Sequence, residues 1–228
     1  MSPRRSNPLS RSVEDYLKTV YGLTERGEPA STSALAEALD IQPASVTGMI
    51  KRLDESGFVE HVPYRGVRLT ETGSREALRI IRRHRVLETY LADRLGYAWD
   101  DVHHEAERLE HAASDELIDR MAAALEDPSH DPHGAPIPTR AGEIEFTDFT
   151  SLADAPEGVT VEIKAVQDED SERLRYMESL GLRPGVLITV VSRTHLGGPI
   201  GVAVEGAEAP DEMIAQDIAR RIFVGRSA

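Results

Sequence analysis

The residues best suited to chemistry lie in one short segment that combines imidazoles with carboxylates. Two of each occupy positions i, i+4, i+7 and i+8 of a predicted helix: His103, Glu107, Glu110 and His111. Helical spacing places these four side chains on one face. Carboxylates so arranged repel each other, and a divalent cation between them reverses that interaction. The segment therefore indicates a metal site, although a solvated acidic helix face explains the same residues.

Three further residues are weaker candidates for metal binding. His84 and Glu88 are spaced i, i+4 in the preceding predicted helix and can face the same side, but such a pair is most often a surface hydrogen bond. Asp15 stands in the first turn of another helix, where the helix dipole alone favours an acid. A zinc-protease motif is excluded, because Arg108 occupies the place of its second histidine.

Composition limits the available ligands and the cellular compartment. The 228 residues include no cysteine, so a metal must be held by oxygen and imidazole nitrogen. No apolar run approaches the roughly 20 residues that span a bilayer. The N-terminus lacks the apolar segment of a secretory signal. We therefore expect a cytoplasmic protein with no membrane partner.

The negative charge is unevenly distributed along the chain. The formal net charge is −14, yet residues 1–70 carry nine basic and nine acidic side chains, whereas residues 71–150 carry nine and eighteen. Only the first segment approaches DNA phosphates without strong repulsion. The acidic excess of the second segment attracts cations. This distribution indicates that DNA binding and metal binding belong to different segments.

The elements predicted for the first third of the chain are those of a winged helix-turn-helix. Apolar spacing and helix-stop signals predict three helices, at 12–26, 33–39 and 44–56. Two β-rich runs, 58–62 and 67–70, then predict a hairpin.

Helices and then a small β-barrel are predicted for the rest of the chain. Long helices are expected over 71–93 and 101–125. Beyond Gly158, short β-type runs broken by glycines predict the barrel, with one helix at 171–181. The fold class is thus mainly α with small β parts.

Several motifs stand in the chain in a characteristic order. They are VEDYLKTVY at 13–21, IQPASVT at 41–47, YRGVRLT at 64–70, RHR at 83–85, LEHAASDE at 109–116 and PHGAPIP at 132–138. Together they resemble the diphtheria-toxin-repressor family, closely over about residues 10–140 and loosely beyond. The resemblance implies a winged helix-turn-helix DNA-binding domain at 1–72, a helical metal-binding and dimerisation domain at 73–148, and an SH3-like domain of FeoA type at 149–228.

The resemblance implies a primary metal site that responds to manganese. Its ligands would be Asp15, Glu107, Glu110 and His111. Iron-responsive members carry Met and Cys at the positions of Asp15 and Glu107, whereas manganese-responsive members carry Asp and Glu. Hard carboxylate oxygens suit Mn²⁺, with Fe²⁺ as the alternative.

The resemblance also implies a second, ancillary metal ion in each subunit. Short manganese regulators place a glutamate where this chain has Lys18, which is not a ligand. The long members instead build a site resembling His84, Glu88 and His103, completed by an acid and an amide from the C-terminal domain. Asp170 is the candidate acid, and Arg173 stands in the approximate place of the amide.

DNA recognition is expected from helix 44–56 and the hairpin. The N-terminal end of that helix would enter the major groove, with Gln42, Pro43, Ala44, Ser45 and Thr47. Phosphate or minor-groove contacts would come from Lys51, Arg52, Arg65 and Arg68.

The expected function is metal-dependent repression of metal-uptake genes by a homodimer on a palindromic double-stranded DNA operator. Two alternatives remain, a metal-independent winged-helix factor and a metal buffer. An enzyme is disfavoured, because no nucleophile and base stand in a recognisable motif.

Overall fold

The structure, a computed structural model, describes residues 9–25, 27–62, 64–168, 170–194, 197–205 and 212–226. The chain divides into two compact units. The first comprises Met1–Arg83, Glu110–Ala113 and Pro138–Ile144, and the second comprises His84–Leu109, Ser114–Ile137 and Glu145–Ala228. The three domain boundaries inferred from the sequence stay a prediction.

The first unit contains the predicted winged helix-turn-helix. Its elements are α1 (Arg11–Thr24), α2 (Thr32–Ala38), α3 (Pro43–Glu55), β1 (Val59–Val62), β2 (Gly66–Leu69) and the first half of α4 (Glu71–Leu95). The strands pair antiparallel, with Val59 opposite Leu69. These elements confirm the three helices and the hairpin predicted from apolar spacing.

One apolar core holds the first unit together. Leu17 and Val20 of α1 pack in the same buried cluster as Leu35 of α2 and Val46 of α3. These four side chains are fully buried, so α1, α2 and α3 share one close-packed core.

The hairpin of β1 and β2, here called the wing, approaches the chain before α2 closely at a glycine. Backbone hydrogen bonds of 2.9 Å run in both directions between Ala30 and Val67. The neighbouring Gly66 has a φ of +124°, and a Cβ there would collide with the Ala30 carbonyl. Only glycine therefore lets the hairpin approach the chain before α2 so closely.

The single helix predicted over 101–125 is wrong. The chain forms α5 (Val102–Leu109) and α6 (Asp115–Ala124), with a turn between them. Ser114 caps α6, because its hydroxyl accepts a hydrogen bond from the backbone N–H of Leu117 at 3.2 Å. Glu110 and His111 therefore lie in a turn after α5, and the argument that placed them on one helix face with His103 fails.

The strands of the second unit are β3 (Thr150–Ser151), β4 (Thr160–Val166), β5 (Leu187–Arg193), β6 (Ile200–Val204), β7 (Glu212–Ile214) and β8 (Ile222–Gly225), and its last two helices are α7 (Ser171–Ser179) and α8 (Gln216–Ala219). Among the described residues, these strands form one six-stranded antiparallel sheet with the order β3-β8-β4-β5-β6-β7. The predicted barrel is confirmed. No apolar period in the sequence predicts β3, β7 and α8, because these elements are too short to show one.

Two loop residues of the second unit meet the barrel. Trp99, between α4 and α5, is buried in the apolar cluster of the barrel, and its indole N–H donates to the Pro132 carbonyl at 2.9 Å. His133 accepts, through its carbonyl, a 2.8 Å hydrogen bond from the Val166 backbone N–H. No helix in the described parts of the chain is both long and apolar enough to span a membrane.

Candidate metal centres and DNA interface

The first metal-type cluster lies in the first unit and contains Asp15, Glu110 and His111. Each residue offers one ligand atom, and these atoms lie within 4.8 Å of one another. Asp15 comes from α1, whereas the other two come from the turn after α5. The structure thus brings together three of the four ligands that the resemblance implies.

His111 is oriented as a metal-ligating histidine would be. Its Nδ1 lies 2.7 Å from the Glu14 carboxylate, which also accepts a hydrogen bond from Arg83 at 3.3 Å. A carboxylate beside Nδ1 favours the tautomer with the proton on that atom, in which Nε2 is free to bind a metal ion. Glu14 lies within the VEDYLKTVY motif, but it was not predicted as a partner of His111.

The Nε2 atom of His111 provides a direct test of whether a cation fits. It is the one buried side-chain nitrogen or oxygen without a well-formed hydrogen bond among the residues that the structure describes. It lies 2.9 Å from Asp15 Oδ1 and 3.4 Å from Glu110 Oε1. A lone pair facing two carboxylate oxygens is the donor set of a divalent cation, so these residues fit a metal ion.

Glu110 already has a cation beside it. Its side chain has no exposed surface, and the Lys18 ammonium donates to both of its carboxylate oxygens at 3.1 and 3.2 Å. A buried carboxylate requires such a counter-charge. Lys18 therefore contacts the first cluster through Glu110. It is also the position at which the resemblance implies a difference from the short manganese regulators.

The second metal-type cluster lies in the second unit and contains His84, Glu88 and His103. Glu88 Oε1 lies 2.9 Å from His84 Nε2 and 3.0 Å from His103 Nδ1, and the two ring nitrogens are 3.0 Å apart. Burial alone would raise the pKa of Glu88, but the charge of His84 and hydrogen bonds from both histidines outweigh it and hold that pKa well below its ordinary value. Three of the ligands that the resemblance implies for the ancillary site therefore lie within hydrogen-bonding distance of one another.

Two residues that the sequence analysis did not name as ligands lie next to Glu88. His133 Nδ1 is 4.0 Å from Glu88 Oε1, and Asp131, Glu88 and His133 form a further metal-type group. Burial raises the pKa of Asp131, and the Glu88 charge adds to that effect. His133 lies in the PHGAPIP motif, which contributed only to the family resemblance and gave no reason to consider a ligand.

Glu107 lies beside one histidine of the second cluster. It lies on α5, and its Oε1 is 4.0 Å from His84 Nδ1. Its assignment to the primary site stays a prediction from the resemblance.

Asp170 serves as the N-cap of α7. Its carboxylate accepts hydrogen bonds from the backbone N–H groups of Glu172 and Arg173, and the bond from Arg173 is the main reason that its pKa is lowered. None of the metal-type groups among the described residues includes Asp170. Arg173 binds the buried Asp168 at 2.7 and 3.0 Å.

The N-terminal end of α3 presents an exposed surface. Val46, Ile50 and Leu53 are buried, while the residues expected to read DNA at this end of the helix are exposed: Gln42, Pro43, Ala44, Ser45 and Thr47. Lys51 and Arg52 are exposed as well.

The basic side chains of the wing have partners within the first unit. Arg65 pairs with Glu28 at 3.0 Å, and Arg68 donates to the Gly27 carbonyl at 2.5 Å. The Arg65 pair is exposed to solvent, so it contributes little to stability.

A winged helix-turn-helix and carboxylate–imidazole clusters in one chain define a metal-dependent DNA-binding regulator. Three family models match the chain in succession: the iron dependent repressor N-terminal DNA binding domain at residues 8–67, the iron dependent repressor metal binding and dimerisation domain at 70–139, and the FeoA domain at 150–226.

Relatives along nearly the whole chain agree with these matches. The chain is 30% identical over 225 residues to the iron-dependent repressor IdeR of Mycobacterium tuberculosis, an alignment that covers 91% of this chain and 96% of that protein. A solved manganese-dependent transcriptional repressor in complex with manganese superposes with a TM-score of 0.87 at 36% identity and covers 94% of this chain and 100% of that one. The manganese regulator SloR superposes with a TM-score of 0.78 at 30% identity, covering 97% of this chain and 100% of that one.

The chain belongs to the iron-dependent repressor family, also called the diphtheria toxin repressor family, with a C-terminal FeoA domain. It is a metal-dependent DNA-binding repressor of that family. The resemblance, the fold class and the general function predicted from the sequence are thereby confirmed.

Proposed function

We propose that this repressor acts in the cytoplasm as a homodimer that binds a palindromic operator of metal-uptake genes when it is loaded with Mn²⁺. The observation that carries the proposal is the buried His111 Nε2, which faces the Asp15 and Glu110 carboxylates. The solved relatives include a manganese-dependent repressor bound to manganese. The relatives named above are repressors, and we propose no catalytic activity for this chain.

Oxygen ligands favour manganese over iron in this proposal. Asp15 supplies a hard anionic oxygen, and the chain has no cysteine to supply a soft thiolate. Inclusion of Glu107 rests on the family resemblance. Fe²⁺ remains the alternative, since a relative of nearly the same length is an iron-dependent repressor.

A second ion in each subunit is proposed at His84, Glu88 and His103. Their donor atoms lie within 3.0 Å of one another. Two imidazoles and a carboxylate are common ligands of divalent transition metals. We also propose that residues 1–72 form the DNA-binding domain, residues 73–148 the metal-binding and dimerisation domain, and residues 149–228 the SH3-like domain of FeoA type.

The proposed mechanism depends on where α1 is held. A divalent ion held by Asp15, Glu110 and His111 would supply the positive charge that offsets repulsion between the Asp15 and Glu110 carboxylates. Asp15 would then hold α1 against the turn that carries His111. Because Leu17 of α1 shares a core with Val46 of α3, the position of α1 sets that of the recognition helix. Gln42, Pro43, Ala44, Ser45 and Thr47 would contact bases, and Lys51, Arg52 and Arg65 phosphates.

Operator binding in the presence of different ions tests this function. An operator selected from a random DNA pool is titrated with the parent protein in chelator, Mn²⁺ or anaerobic Fe²⁺. We expect chelator to abolish binding and Mn²⁺ to restore it. His111→Ala should weaken activation by at least about tenfold. His104→Ala is the matched control, because His104 is exposed and belongs to no metal-type group among the described residues.

The alternatives give different results in the same assay. Equal operator binding in chelator and in Mn²⁺ indicates a metal-independent winged-helix factor. Tight Mn²⁺ binding without any effect on DNA binding indicates a metal buffer. Activation of the His111→Ala and His104→Ala variants at the same ion concentration would contradict the proposed role of the first cluster.

A further inference from the structure

The cation beside Glu110 lies on the helix that also carries a proposed ligand. Lys18 follows Asp15 by three residues on α1, so both side chains lie on neighbouring positions of one helix face. The Lys18 ammonium lies within 3.2 Å of both Glu110 oxygens. One helix therefore presents an anionic ligand and a cation to the same cluster.

The ammonium and a divalent ion need the same carboxylate. Glu110 Oε1 accepts from Lys18 at 3.2 Å and lies 3.4 Å from His111 Nε2. The Glu110 side chain is fully buried, so solvent does not screen its charge. A second positive charge brought to these oxygens is repelled by the first unless the ammonium moves away.

Lys18 is able to move away. Its side chain is 22% exposed, and a lysine has a flexible four-carbon stem that lets the ammonium reach water while the stem stays packed. Arg83, the cation of the Glu14 pair, is only 8% exposed. Of these two ion pairs, the one between Lys18 and Glu110 is therefore the easier to break.

We infer that Lys18 is a built-in competitor of the activating ion: its ammonium stabilises the metal-free protein by neutralising Glu110, and this raises the metal concentration at which the first cluster fills. The inference rests on the proposed function, because it concerns the ion that binds at Glu110. It assigns Lys18 the role of setting the response threshold. A lysine that merely fastened α1 in every state would instead assist metal binding.

Direct Mn²⁺ binding to the full-length chain tests this inference. Free Mn²⁺ is counted by electron paramagnetic resonance during titration of the parent, Lys18→Gln, Lys18→Arg and Arg75→Gln. The binding step at the first cluster is identified by its loss in Glu110→Gln. Arg75→Gln is the matched control, because it also replaces a cation by glutamine but opens an exposed ion pair with Glu71.

We expect Lys18→Gln to lower the Kd of the first cluster for Mn²⁺ by about tenfold or more, since a repelling charge within a few ångströms is removed. Without metal, the same variant should melt at a lower temperature than the parent. Lys18→Arg should stay near the parent in both measurements, and so should Arg75→Gln. The metal-free melting temperature is a readout that does not depend on DNA binding.

Two outcomes overturn the inference. An unchanged or higher Kd in Lys18→Gln, with normal Mn²⁺ binding in the parent, shows that Lys18 does not compete and leaves the proposed function intact. A parent that binds no Mn²⁺ through Glu110 contradicts the proposed function and the competition together. The two failures are therefore distinguishable.

Discussion

The two metal-type clusters neutralise their carboxylates in different ways. In the first cluster and beside it, basic side chains pair with the acids: Lys18 with Glu110, and Arg83 with Glu14. In the second cluster, one buried carboxylate, that of Glu88, is shared by two histidines. A lysine or arginine stays charged at neutral pH, whereas an imidazole changes its charge near it.

This difference suggests different tasks for the two clusters. Permanent cations hold the first cluster together without metal, so an arriving ion replaces a charge that is already present. A histidine must be neutral to bind a metal ion, a requirement that the second cluster meets twice, at His84 and His103, and the first cluster once, at His111. The first cluster is thus suited to sensing the ion concentration, and the second to holding its own unit together.

The largest effect in this comparison is expected from Glu14→Ala. The substitution removes the carboxylate that faces the buried Arg83 guanidinium, and breaking a buried ion pair from one side is strongly destabilising. We expect the free energy of unfolding without metal to fall by about 3 kcal/mol. His111 also loses its Nδ1 acceptor, so Mn²⁺ affinity should fall by about tenfold.

Chemical denaturation and Mn²⁺ titration measure these two effects. Glu116→Ala is the control, because it opens the exposed pair with Arg120 and should change the free energy of unfolding by less than about 1 kcal/mol. A Glu14→Ala protein as stable as this control would show that the basic partners of the first cluster are dispensable.

A smaller effect on stability is expected from Glu88→Gln in the second cluster, and this effect should depend on pH. The folded-state pKa of Glu88 lies below its ordinary value, so its ionised form favours the folded state. This contribution is present above the ordinary carboxyl pKa of about 4.3 and is lost as the pH falls through the lowered folded-state pKa. Glu88→Gln should therefore reduce metal-free stability at pH 7 more than at pH 3.

This pH dependence is tested by measuring the free energy of unfolding of the parent and of Glu88→Gln from pH 7 to pH 3 in the presence of chelator. Asp131 shifts in the opposite direction, because burial and the Glu88 charge raise its pKa. Its influence is examined by repeating the series with Asp131→Asn. An equal loss of stability for Glu88→Gln at every pH would mean that the Glu88 charge does not hold this cluster together.

The smallest effect concerns Asp170, which is either an N-cap or a ligand. Asparagine caps helices about as well as aspartate but removes the anionic oxygen. If Asp170 only caps α7, Asp170→Asn should keep both the stability and the metal affinity of the parent, while Asp170→Ala should lower the melting temperature slightly. Weaker metal binding at the second cluster in Asp170→Asn would instead support the ligand role that the resemblance implies.

Much of the fold followed from the sequence because it rests on local signals. Apolar spacing gave α1 and α3, and glycine and proline marked the ends of helices. The break between α5 and α6 was missed, because its cause is a single Ser114 cap inside a pattern that otherwise continues. That miss matters, since it moves Glu110 and His111 from a helix face into a turn.

The metal clusters were predicted only in part. Residue types and the family resemblance found Asp15, Glu110 and His111, and also the second trio. Glu14 and Arg83 were missed as partners because they are 69 positions apart, and no local period connects them. Lys18 was noticed as a departure from relatives, but its contact with Glu110 spans 92 positions and required the folded chain.

The most direct test of the central claim is diffraction from crystals of the full-length chain grown with Mn²⁺, measured on both sides of the manganese absorption edge. The account predicts an anomalous peak within bonding distance of His111 Nε2, Asp15 and Glu110, with the Lys18 ammonium withdrawn from Glu110. Absence of a peak there, with manganese only at His84, Glu88 and His103 or nowhere in the protein, would contradict it.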